Sequence, residues 1–125
     1  MQIGLAALKS ILLKDVVIVE VVRRIPLQTR PITRKMLCTN SKNILNSFNG
    51  RTVLNYRPPV YMQKYNPESY NLIVTWDIIM QDYRQLNMDA CDLLETIPGD
   101  QRFWKYFNEK ILPMTPTDKL NFMDL

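Results

Sequence analysis

The alternation of apolar and polar positions changes character several times along this chain. Up to about Lys14 the Ala/Leu/Ile mixture of the first segment predicts a helix. Val16 to Val22 is a β-branched run, which suits either a strand or a tightly buried helix, and periodicity does not separate the two. Ile25 to Asn43 reads as extended, because Pro26 and Pro31 push the residues before them out of the α region.

Asn49-Gly50 follows, flanked by short apolar-containing runs. Both central residues of a type I′ turn need positive φ, which Asn and Gly tolerate best, so this predicts a β-hairpin over residues 43–56. Such a hairpin would set Leu45, Leu54 and Tyr56 on one face. A proline-rich connector leads from Arg57 to Pro67.

From about Glu68 to Leu86 the spacing turns helical. Leu72, Trp76, Ile79 and Tyr83, with Ile73 and Met80, form one stripe, while Val74 and Ile78 lie on another face. A helix apolar on two faces is central to a bundle or touches a partner, which makes Val74 and Ile78 candidate protein-binding residues. Met88 to Ile97 reads as a second helix ended by Pro98-Gly99. Asp100 is placed to cap a third, which Pro113 stops. Thr115-Pro116-Thr117-Asp118 opens a fourth, with Thr as cap, Pro at the first position and an acid where the helix dipole favours one. The expected fold is mainly α: a small C-terminal bundle of short helices, an extended basic N-terminal arm and one short β-hairpin.

Charge divides the same way. Residues 1–66 carry eleven bases and two acids, a net of +9; residues 67–125 carry five bases and ten acids, a net of −5. This predicts a basic arm (1–66) joined to an acidic helical unit (67–125). In the arm Arg23, Arg24, Arg30, Arg34, Lys35, Lys42, Arg51, Arg57 and Lys64 would meet phosphates. Tyr56, Tyr61 and Tyr65, interleaved with them beside Phe48, offer faces on which unpaired bases stack. RNA or another polyanion is therefore the expected partner of the first half, and protein subunits that of the second.

Other motifs are weaker. Pro58-Pro59-Val60-Tyr61 matches the Pro-Pro-x-Tyr peptide bound by WW modules, though a rigid linker into the helical unit is the preferred reading of so short a match. Asp89, Asp92 and Glu95 would share a helix face, but hard-cation sites also draw on loop carbonyls. Cys38 and Cys91 read as small buried hydrophobes, not a disulfide framework. Trp76 and Trp104 read as core anchors or interface residues.

Several classes are excluded or disfavoured. The chain has no histidine and three glycines. That removes Ser-His-Asp and Cys-His catalysis, His-ligated zinc and glycine-rich phosphate loops, so no enzyme, metal or cofactor is expected. Lys9, Lys14, Asp15 and Glu20 interrupt the first apolar segment and exclude a membrane span or a secretory core there. An intracellular setting follows. The arginines at 23, 24, 30 and 34 fit a mitochondrial targeting segment, against which Asp15 and Glu20 count. The sequence thus predicts a non-catalytic subunit of a large assembly, such as a ribonucleoprotein of the (mitochondrial) ribosome type. The alternatives are a viral or other self-assembling structural protein, and a WW-binding adaptor acting through Pro58–Tyr61.

Overall fold

The computed structural model describes residues 2–23, 32–58 and 66–123. Its centre is the β-branched run. Val16–Arg23 forms β1 and pairs antiparallel with β2, Ile32–Thr39, from Val16 opposite Thr39 to Arg23 opposite Ile32. On its other side β1 pairs with β5, Cys91–Ile97. Ile18 faces Glu95 while Val19 faces Leu93, so Leu94 is an extra residue bulged out of β5. β3, Leu72–Asp77, and β4, Asp82–Asn87, make a hairpin in full register. That hairpin joins β2 through two residue pairs, Cys38–Asp77 and Thr39–Trp76. The sheet is antiparallel throughout, in the order β4-β3-β2-β1-β5.

Both faces of this sheet are covered, which is why β1 shows no alternation: Val16, Val17 and Val19 are wholly buried. One face packs under helix α1, Leu5–Leu12. Leu8 and Leu12 meet Val17, Val19, Cys38, Ile73, Leu86 and Leu93 there. The opposite face is covered by α2 (Lys42–Leu45), α3 (Phe48–Thr52), α4 (Gln101–Tyr106) and α5 (Pro116–Met123). There Val16, Ile18, Leu37 and Trp76 pack with Ile44, Leu45, Phe103, Phe107 and Met123.

The helix-start signals at the C-terminal end hold. Asp100 accepts from the Arg102 N–H at 2.9 Å and begins α4. Thr115 and Asp118 cap α5 reciprocally: Thr115 N–H donates to Asp118 and Asp118 N–H donates to the Thr115 hydroxyl, both at 3.1 Å. Past Tyr106 the helix widens into a turn in which Leu112 N–H reaches back to the Phe107 carbonyl.

The mainly α expectation is overturned. The fold is an antiparallel five-stranded sheet flanked by short helices, and the basic first half supplies two interior strands rather than an extended arm. The stretch read as a helix over 68–86 is the β3–β4 hairpin. With Ile73 directed to one core, Trp76 to the other and Val74 half-buried, its apolar residues no longer alternate simply, and their spacing mimics a helical stripe. Met88 to Ile97, read as a second helix, is a single turn followed by β5.

The hairpin expected at 43–56 is α2 and α3. Gly50 has no positive φ; it is helical because Ser47 caps α3 and accepts from the Gly50 N–H at 3.0 Å. A Cβ there would stand 2.1 Å from the Ile44 carbonyl oxygen, so glycine serves close approach of backbone to backbone, not a turn. Among the described residues no helix is long and apolar enough to cross a membrane.

Candidate nucleic-acid interface

The α2–α3 corner gathers the basic residues that the structure displays together. Ile44 and Leu45 go into the core, which leaves Lys42, Phe48 and Arg51 exposed on the outer side. Ser47 fixes the corner: its hydroxyl donates to the Ile44 carbonyl at 2.6 Å while accepting from Gly50. The chain then dips through buried Leu54, passes Asn55 in the left-handed region at φ 54°, and buries the Tyr56 ring before Arg57 and Pro58 emerge.

Tyr56 is part of an aromatic nest. Its ring meets Trp76 edge-on at 5.2 Å and Tyr83 at 6.2 Å, and Trp76 meets Tyr83 at 5.0 Å. Lys42 Nζ donates to the Tyr56 hydroxyl at 3.2 Å and stands 5.5 Å from the ring centroid. The Tyr56 and Tyr83 hydroxyls share a hydrogen bond of 3.1 Å, and Tyr83 donates to the Arg57 carbonyl at 2.9 Å. Burial, then this bond to Tyr56, raises the Tyr83 pKa and keeps the phenol protonated. The polar chain from the Lys42 ammonium through the Tyr56 and Tyr83 hydroxyls to the Arg57 carbonyl thus ties one surface cation, and the backbone of a second, to the core.

Beside it lies a shallow depression of about 480 Å³, lined by Arg51, Asn55, Tyr56, Arg57 and Gln81. Asn55 donates to the Gln81 side chain at 2.8 Å and pins this loop to the β3–β4 turn, where Gln81 is also left-handed, at φ 57°. Among the described residues no carboxylate lies within ion-pair distance of Lys42, Arg51 or Arg57. The resulting corner is cationic, and among its described residues Phe48 leaves its ring bare, at 81% exposure.

The other expected site residues are scattered. Arg34 and Lys35 are half-buried on β2, away from this corner. Arg23 ends β1, and its side chain is outside the described residues, as are Arg24, Arg30, Pro59, Tyr61, Lys64 and Tyr65 altogether. The WW-type motif is therefore described only at Pro58, which is exposed. Val74 is half-buried on β3, whereas Ile78 is 2% exposed in the core and donates its N–H to the Leu37 carbonyl. The structure thus places Ile78 away from any docking face. Asp89, Asp92 and Glu95 do not share a helix face: Asp89 sits on a turn and accepts from the Asn71 side chain, and the other two lie on β5. Among the described residues no acidic, cysteine or histidine group has metal-site geometry.

No sequence motif announces a second feature. Because β2 and β3 pair only at their ends, an open cleft of about 1290 Å³ remains, with Arg34, Lys35, Asp77, Arg84, Cys91 and Asp92 among its walls. Asp77 is buried, and its Oδ1 accepts from the N–H groups of Ile79 and Met80 at 3.0 and 3.1 Å. Burial raises its pKa, partly offset by those two N–H groups and by Arg84. Cys38, fully buried nearby, is pushed well up by desolvation and by Asp77. Cys91 is pushed up to about 11 by burial and Asp92. Both thiols stay protonated at neutral pH and are poor nucleophiles. Only the strand pairing unites these groups, and no local motif marks them.

Comparison with protein-family models, with curated proteins and with solved structures found no match.

Proposed function

We propose that this protein is a non-catalytic subunit of a ribonucleoprotein assembly, of the ribosomal kind, that contacts RNA through Lys42, Arg51 and Arg57. The observation that carries this reading is the gathering of Lys42, Arg51 and Arg57, with no carboxylate at ion-pair distance among the described residues, on a corner held by Ser47, Gly50 and the Tyr56–Tyr83 hydrogen bonds. Cations presented this way exchange condensed counterions for protein contact, which makes affinity fall steeply with salt.

The lopsided charge of the chain supports the same reading. Lys9 pairs with Glu68 across the two halves, and Glu20 stands opposite Lys35 in the β1–β2 ladder, yet the α2–α3 corner keeps its cations. Cys91, on the wall of the cleft, is buried with a raised pKa and is a poor nucleophile, which suits a binding role. The test is titration of a labelled RNA hairpin with purified protein at several salt concentrations. Binding that weakens as salt rises supports the proposal; absence of salt-dependent binding removes RNA from it.

A further inference from the structure

We infer that the α2–α3 corner selects single-stranded RNA, with an unpaired base stacked on Phe48 while Arg51 and Arg57 hold neighbouring phosphates; this rests on the RNA-contact reading above. The sequence offers several aromatic rings for stacking in this region, and the structure separates the two that lie among the described residues, Tyr56 and Phe48. Tyr56 is spent: it is 5% exposed, has Trp76 and Tyr83 edge-on against it and carries the Lys42 ammonium above it. Phe48 is the opposite case. The chain buries Trp76, Phe103 and Phe107 to 5% exposure or less, yet leaves this ring 81% exposed.

Its backbone is also fixed. Phe48 opens α3, whose first turn is set by the Ser47–Gly50 bond and by the Thr52 hydroxyl, which donates to the Phe48 carbonyl at 2.8 Å. Arg51 follows three residues later, so both side chains project from the same face of that turn. An exposed ring beside a cation is the recurring unit of single-strand recognition: the ring accepts any base face and the cation follows the backbone. In a duplex the base faces are stacked on each other and offer nothing to the ring.

The experiment compares fluorescence anisotropy of a labelled twelve-nucleotide uridine-rich strand with that of a blunt RNA duplex of the same length, at one salt concentration. Phe48→Ala should weaken single-strand binding roughly tenfold and leave duplex binding unchanged. Phe48→Tyr should restore it. Because the ring is exposed, neither substitution removes core packing, and circular dichroism checks that both variants fold. Equal effects of Phe48→Ala on both nucleic acids, or no effect on either, would overturn the inference while leaving RNA contact standing. If the wild type binds neither, RNA contact itself fails, and this inference with it.

Discussion

Asp15 and Gly99 stand 84 positions apart in sequence and share a hydrogen bond, the Gly99 N–H donating to Asp15 Oδ1 at 3.0 Å. This contact locks the turn before β1 onto the turn after β5. A Cβ on Gly99 would lie 1.9 Å from the Lys14 carbonyl oxygen, a backbone atom that cannot swing aside. Gly99→Ala should therefore cost about 1–3 kcal/mol, as overpacking does. Urea denaturation would show it; an unchanged midpoint would mean that the two turns do not meet.

Leu37 lies at 0% exposure on β2, between the helices and the sheet. Leu37→Ala should destabilise the whole molecule by about 2–5 kcal/mol, the usual cost of emptying a leucine-sized site. A basic half that was a mere arm would lose nothing. Thermal unfolding followed by far-ultraviolet dichroism distinguishes the two outcomes.

Tyr56 combines a core ring with a polar tip. Tyr56→Phe should cost only about 1 kcal/mol, since it removes hydroxyl contacts but keeps the packing on Trp76 and Tyr83. Tyr56→Ala should cost about 3–5 kcal/mol. RNA affinity of Tyr56→Phe should fall, because the lost hydroxyl releases Lys42 and Tyr83 from the bonds that hold the corner.

Asp77 has a consequence for pH. A carboxyl whose folded pKa is raised binds its proton more tightly folded than unfolded. It contributes stability below the ordinary value of 3.8, and that contribution fades as pH climbs through the raised value. Asp77→Asn keeps an oxygen for the Ile79 and Met80 N–H groups and has no proton to lose. The stability of this variant relative to wild type should rise as pH climbs above 3.8 towards the raised folded value. Chemical denaturation at a series of pH values measures it, and a difference that is flat or falls with pH contradicts the placement of Asp77.

The two thiols should be silent in the folded protein. Cys38 is wholly buried and Cys91 is 2% exposed, with both pKa values raised. A disulfide-exchange reagent at neutral pH should label neither until denaturant is added. Rapid labelling of the native protein would show that the cleft opens.

The ends of the chain were easier to read than its middle, for physical reasons. Asp100, Thr115 and Asp118 act within their own turns, so the starts of α4 and α5 were visible locally. Gly50 misleads because glycine has two uses, positive φ and close approach, and only the proximity of the Ile44 carbonyl reveals which applies. The β3–β4 turn was hidden because no glycine or proline marks it. Asp77 supplies the turn through its side chain, and Gln81 takes the left-handed position. Of the candidate interface, Lys42, Arg51 and Arg57 were identifiable as cations near aromatics. That Tyr56 turns inward and Phe48 outward depends on how α2 and α3 pack on Trp76, which is a tertiary fact.

The central claim is that cations at one corner, rather than net charge, bind RNA. The direct measurement is the slope of log affinity against log salt for the wild type and two triple variants. One carries alanine at Lys42, Arg51 and Arg57, the other at Lys105, Lys110 and Lys119, which are the same number of charges from the helical end. The first should lower the magnitude of the slope by about 3, roughly one per lost phosphate contact, and the second should leave it unchanged. Equal reductions in both, or none in the first, would contradict the account.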